Sequence, residues 1–182
     1  MKRGNRSTTP FAQSYLVQPG LLCAGHYPGD LNLEVRDEKL RGLLDLGLTR
    51  ILCLIEEGET GRSGAPFVPY LPWLEELAAE RGTTIEWMRL SVRDASAPTL
   101  ERMREILTLL AEGLARKQPT YFHCYGGHGR TGTVAACYLI EQGRTPTQAL
   151  TEITRLRQLL PKNHDPFEGD QREFILGWKT CI

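Results

Sequence analysis

One stretch of this chain limits its architecture more than any other. Thr120-Tyr121-Phe122 reads as a short β-strand, and Val134-Ala135-Ala136-Cys137-Tyr138-Leu139-Ile140 as an apolar helix. Between them lies the loop His123-Cys124-Tyr125-Gly126-Gly127-His128-Gly129-Arg130-Thr131-Gly132. A strand that passes through a glycine-rich loop into an apolar helix belongs in a sheet covered by helices. Such a loop also gathers backbone N–H groups at a helix N-terminus, which makes an anion site. The thiol of Cys124 inside that site is a nucleophile aimed at a bound phosphate.

The rest of the chain supplies the sheet. Tyr15-Leu16-Val17 and Leu21-Leu22-Cys23 read as strands around the Pro19-Gly20 turn. Leu33 to Leu46 reads as a helix stopped by Gly47, and Ile51 to Ile55 as a buried strand because it is apolar throughout. Gly58 to Pro69, rich in Gly, Pro and Ser, is expected to be a mobile loop. A helix over Pro72–Arg81 and a strand over Ile85–Leu90 follow. Apolar residues recur at helical spacing from Leu100 to Leu114. Thr145-Pro146-Thr147-Gln148 is a capped helix start for a segment reaching about Leu160, and a last helix begins near Asp170. The alternation predicts one α/β domain over 14–182, a mostly parallel sheet flanked by helices, after a flexible leader over 1–13.

Composition narrows the function. The 182 residues carry 22 Lys+Arg and 22 Asp+Glu, so the basic excess of a nucleic-acid binder is missing. Five cysteines, an odd number with neither disulfide-framework nor zinc spacing, favour a reducing, cytoplasmic setting. The basic start Met1-Lys2-Arg3 is followed by no apolar core of a signal peptide, and no apolar run is long enough to cross a membrane. No cofactor or metal is expected. His123, Cys124 and His128 lie too close together on one loop to resemble a zinc site. Oligomeric state is left open.

A phosphoryl group in transfer carries its charge on three equatorial oxygens. The backbone of Tyr125, Gly126, Gly127, His128, Gly129 and Arg130 can cradle them, the glycines easing the turn of N–H groups inward. Arg130 adds a planar fork suited to phosphate. The same surroundings favour a thiolate at Cys124, which would form a phosphocysteine intermediate. Thr131 is placed to hydrogen-bond the sulfur when it leaves, and His123 to orient the loop.

Cys124, five residues, Arg130 and Thr131 together resemble the signature of the cysteine-dependent protein tyrosine and dual-specificity phosphatase superfamily. His123-Cys124-Tyr125-Gly126-Gly127 with Gly129-Arg130 is most similar to the group associated with cyclin-dependent kinases. The resemblance extends from about Leu21 to Trp178 and implies a protein tyrosine phosphatase-like fold. It also implies an upstream aspartate as general acid. Asp94, in Ser91-Val92-Arg93-Asp94-Ala95-Ser96-Ala97-Pro98 and 30 residues before Cys124, matches it. It suggests Gln171 for placing the hydrolytic water, against the plainer reading of an exposed helical residue. It also raises a reversible Cys53–Cys124 disulfide, against the plainer reading of Cys53 as a buried thiol.

The expected substrate is a phosphorylated protein or peptide, phosphotyrosine first, with phosphoserine and phosphothreonine as further candidates. A phosphoinositide phosphatase, a rhodanese-like sulfurtransferase and a phosphopeptide-binding module remain as alternatives. The loop carries none of the lysines that match extra phosphates in lipid-directed relatives. His26 and Tyr27 sit on a loop that borders the cleft or simply turns the chain. Trp73, Trp87 and Trp178 read as packing residues, and Glu56, Glu57 and Glu59 as a solvated loop face.

Overall fold

Runs such as Ile51–Ile55 are apolar on successive residues because their strands are covered on both faces. A computed structural model describes residues 9–61, 63–158, 167 and 170–180 of the chain. Five strands form one sheet: β1 (Ser14–Gln18), β2 (Leu22–Gly25), β3 (Arg50–Cys53), β4 (Glu86–Arg89) and β5 (Thr120–His123). Their order is β1-β2-β5-β3-β4. β2, β5, β3 and β4 run parallel, and β1 pairs antiparallel with β2 through the turn at Gly20, whose φ is +77°.

The helices are α1 (Leu33–Asp45), α2 (Leu71–Glu80), α3 (Leu100–Ala115), α4 (Gly129–Glu141), α5 (Pro146–Arg157) and α6 (Gln171–Gly177). The sheet divides the core in two. Leu52, Leu54 and Phe122 face a cluster that includes residues of α3 to α6. Ile51, Cys53, Ile55 and Tyr121 face a second cluster with Leu40 and Leu43 of α1 and Leu74 and Ala78 of α2. Alternation along β3 and β5 thus feeds both layers.

The expected elements are present, most ends shifted by one or two residues; the helix read over Val134–Ile140 starts earlier, at Gly129, so the last residues of the glycine-rich loop form its first turn. Asn32 caps α1 by accepting from the Glu34 and Val35 N–H groups, and Gly47 (φ +73°) ends it. Thr145 and Gln148 form the expected capping box of α5. That helix is described to Arg157; the expected continuation over Leu159 and Leu160 lies outside the described residues, as do residues 1–8 and Cys181. Within the expected leader, Phe11 is buried, its ring 5.8 Å edge-on from Tyr121. The loop 58–69 carries structure of its own: Thr60 bridges Pro66, and the Gly61 N–H donates to the Ala65 carbonyl.

α4 runs through the middle of the fold, with every residue from Arg130 to Ile140 buried. A helix covered all round needs the apolar sequence that follows the loop. Its first residue, Gly129, comes six positions after β5 ends at His123. The intervening loop is therefore anchored on a central strand at one end and a central helix at the other.

Candidate active site

Cys124 follows directly on β5 and is 4% exposed. Its N–H donates to Thr131 Oγ1 at 2.8 Å, so the threonine hydroxyl, on the first turn of α4, is held beside the cysteine. A chain of hydrogen bonds fixes the other side. Trp87 Nε1 donates to the Tyr70 hydroxyl (2.9 Å), which lies 2.7 Å from His123 Nε2. His123 Nδ1 lies 2.9 Å from the Cys124 carbonyl. A carbonyl only accepts, so Nδ1 carries the proton and Nε2 accepts from Tyr70. Burial pushes the His123 pKa down to about 3, which keeps the imidazole neutral. His123 thus orients the loop, and Trp87, read as simple packing, belongs to the same chain.

The N–H groups of Tyr125, Gly126 and Gly127 have no acceptor among the described residues. Successive unpaired N–H groups ahead of a helix are an anion cradle. The three glycines serve it differently. Gly127 takes a positive φ of +66°, and a Cβ there would meet the Gly25 carbonyl carbon at 2.4 Å. Gly129 is helical, and a Cβ on it would strike the Gln171 amide oxygen at 2.6 Å. Gly126 has no positive φ; a Cβ there would press on the His128 ring at 2.9 Å.

Arg130 is 2% exposed. Nη1 and Nη2 hold the two oxygens of Glu59 at 2.7 and 2.8 Å, and Nη1 also donates to the Val92 carbonyl at 3.0 Å. Asp94 Oδ1 lies 2.9 Å from Nη2. Nε–H is buried and has no hydrogen-bond partner among the described residues. Burial opposes the arginine's charge, but the Glu59 hydrogen bonds and the charges of Cys124, Glu59 and Asp94 outweigh it and keep the group protonated. Glu59 is not on the solvated face that its loop position suggests: its side chain is 12% exposed and grips the arginine. Nothing near it in sequence signals this, because Arg130 lies 71 positions away.

The structure brings Asp94 to this arginine with its side chain still 73% exposed. The loop turns sharply after it, Ala95 adopting a φ of +55°. The start of α6 secures the loop: Asp170 Oδ1 accepts from the Ala97 N–H (2.8 Å) and Gln171 Nε2 donates to the Ser96 carbonyl (3.1 Å). Gln171 is fully buried rather than on an exposed face, wedged between the Asp94 loop and Gly129.

Aromatic rings form one side of the cradle. Tyr125, 45% exposed, stacks on Phe67 with centroids 4.5 Å apart, and His26 lies 5.4 Å from it. Tyr27 packs on Phe67, Tyr70 and His123, and its N–H donates to the Tyr125 carbonyl. The 25–29 loop therefore does border the site. Cys53 pairs with His123 in register, but its side chain packs in the α1/α2 cluster while Cys124 belongs to the other. Burial pushes the Cys53 thiol up to about 11. Cys23, Cys53, Cys124 and Cys137 are free thiols. Among the described residues no group of three or more His, Cys, Asp or Glu side chains could hold a metal ion, and no helix is long and apolar enough to cross a membrane.

Comparison with known proteins gives the family and the fold. Residues 15–166 match the family described as the Swiss Army Knife protein, DSP-PTPase phosphatase domain. The chain belongs to this family. Human cyclin-dependent kinase inhibitor 3 is 37% identical over 68 residues, covering 36% of this chain and 32% of that protein. Human phosphatidylglycerophosphatase and protein-tyrosine phosphatase 1 is 27% identical over 131 residues, covering 69% of this chain and 55% of that protein. The chain therefore matches less than two thirds of the length of these curated relatives. The crystal structure of kinase associated phosphatase, with its catalytic cysteine replaced by serine, superposes with a TM-score of 0.66 at 23% identity, covering 92% of this chain and 93% of that one. PTPMT1 in complex with PI(5)P superposes with a TM-score of 0.65 at 20% identity, covering 90% and 92%. These likenesses establish the fold: a mixed sheet flanked by helices.

Proposed function

We propose that residues 14–182 of this phosphatase-family chain form one domain that hydrolyses phosphate monoesters on proteins, phosphotyrosine first, through a phosphocysteine at Cys124. One observation carries this reading: Arg130, oriented by Glu59 and Asp94, points an unpartnered Nε–H from the same loop that leaves the N–H groups of Tyr125, Gly126 and Gly127 without acceptors beside Cys124. Phosphate oxygens satisfy those donors, and residues 125–130 together make the cradle.

The Cys124 thiolate attacks phosphorus, forming the S–P bond while the P–O bond to the substrate oxygen breaks. Asp94, carrying the proton, gives it to that leaving oxygen. In the second step the Asp94 carboxylate takes a proton from water, which attacks phosphorus. Thr131 hydrogen-bonds the departing sulfur, and Gln171 positions the water. His123 supports the loop without reacting. Neither metal nor cofactor enters these steps.

The aromatic side of the cradle, Tyr125 on Phe67, favours a phenyl phosphate. The loop also offers no lysine to the extra phosphates of an inositol lipid. We place the activity in the cytoplasm on phosphorylated proteins or peptides; four free thiols suit a reducing compartment. The test is turnover of an aryl phosphate by wild type, Cys124→Ser and Asp94→Ala. Cys124→Ser should be inactive, and Asp94→Ala should lose about 10²–10⁴-fold with poor leaving groups and less with good ones. Undiminished turnover by Cys124→Ser ends the proposal. Full activity of Asp94→Ala with poor leaving groups removes Asp94 as the acid.

A further inference from the structure

A cavity of about 310 Å³ lies where β3 and β4 end, and none of residues 124–130 lines it. It is large enough for a small organic molecule. Tyr27, Phe67, Tyr70 and Trp87 give it aromatic walls, with Cys53 alongside. Arg89 supplies a cation: its guanidinium stands 5.3 Å from the Trp87 ring centroid, and it has no carboxylate partner among the described residues. Arg89 lines the cavity while the residue itself stays exposed. Burial raises the pKa values of Tyr27, Cys53 and Tyr70, and the Arg89 charge acts on all three in the opposite direction. Of the two carboxylates on the lining, Glu59 is committed to Arg130 and Glu56 is solvent-exposed.

Two of the cavity's own features reach the phosphate cradle. Glu59, on its wall, holds both Nη atoms of Arg130. Tyr70 and Trp87, also on its wall, begin the hydrogen-bond chain that ends on the Cys124 carbonyl. Anything packed among these rings braces the groups that hold the arginine and the nucleophile.

We propose that this cavity is a second binding site, for a small aromatic monoanion of the aryl carboxylate class, and that filling it tightens anion binding in the cradle. The ring inserts between Phe67 and Trp87, and the carboxylate pairs with Arg89. A filled cavity restrains the 56–69 segment that carries Glu59, so less freedom is lost when the cradle closes on its anion. The tightening, though not the cavity, rests on the cradle being the phosphate site.

Calorimetric titration of the full chain with 2-naphthoate tests this. Naphthoate should bind with one-to-one stoichiometry. Its neutral analogue 2-naphthamide should bind about tenfold more weakly, the loss expected for one charge-assisted contact of about 1.4 kcal/mol. Arg89→Leu, an exposed substitution outside the catalytic groups, should weaken naphthoate by a similar factor, abolish the acid-over-amide preference and leave aryl phosphate turnover unchanged. Saturating naphthoate should lower the Kd of inorganic phosphate by roughly fivefold. No naphthoate binding at about 1 mM overturns the site, as does equal binding by Arg89→Leu. Displacement of naphthoate by phosphate also overturns it, since that puts the probe in the cradle. Unchanged phosphate affinity overturns the tightening. If phosphate does not bind at all while naphthoate behaves as expected, the phosphatase reading and the tightening fall and the cavity stands.

Discussion

Replacing Glu59 tests how the buried Arg130 is held. Arg130 is 2% exposed, and Glu59 supplies two of its four acceptor atoms, at 2.7 and 2.8 Å, beside the Val92 carbonyl and Asp94. Removing one partner of a buried pair costs about 3–5 kcal/mol, because the remaining charge is stranded. Here the Val92 carbonyl and Asp94 still neutralise part of the fork, so the lower end applies to Glu59→Ala, about 3 kcal/mol. Glu59→Gln keeps one acceptor oxygen but turns an NH₂ toward the guanidinium, and should cost about half as much. The kinetic loss comes from an arginine no longer aimed at the phosphate. A hundredfold fall in kcat/KM corresponds to about 2.7 kcal/mol, of the same order as the stability loss. Urea unfolding with a common m value measures the first quantity and aryl phosphate turnover the second. Both losses should shrink in an Arg130→Ala background, since the cycle isolates the pair. The reasoning is refuted if Glu59→Ala keeps wild-type stability and turnover, if its effects are as large without Arg130, or if turnover rises.

Gly129→Ala should leave the helix intact but force the Gln171 amide away, since the added Cβ would lie 2.6 Å from its oxygen, loosening the Asp94 loop through Ser96; kcat should fall about tenfold or more, and adding Gln171→Ala, which removes the same hydrogen bond, should cost little further. His123 binds a proton near pH 3 when folded, against 6.5 for an accessible imidazole, so the unfolded chain protonates first as pH falls. Its contribution to stability is whole above pH 6.5 and falls by about 1.4 kcal/mol per unit down to about pH 3. His123→Asn should flatten the pH dependence of unfolding by about that slope between those limits, and an unchanged slope would contradict a buried neutral imidazole. Phe67→Ala should lower kcat/KM for aryl phosphates several-fold relative to alkyl phosphates, by removing the ring on which Tyr125 stacks. Equal losses for both would show that the stack does not select the phenyl group.

By itself the sequence was enough for the architecture and for a contiguous candidate site. Apolar runs of strand length, helical spacing and caps are local signals, and they specify the α/β pattern around β5 and α4, though the start of α4 at Gly129 lies five positions before the apolar run that announces it. Cys124, residues 125–129, Arg130 and Thr131 are contiguous, so their chemistry is visible as one string. Asp94 and Gln171 came into view only through resemblance to a family, because their partners lie 36 and 75 positions away. Tertiary structure alone decided what surrounds the arginine. Glu59 looks like any loop acid until the folding of β3, β5 and α4 sets it against a buried guanidinium. Trp87 and Tyr70 look like packing residues until their polar atoms meet His123. The physical reason is the same in each case. Backbone preference acts between near neighbours along the chain, whereas a buried charge or hydroxyl takes whatever partner the assembled core places within reach.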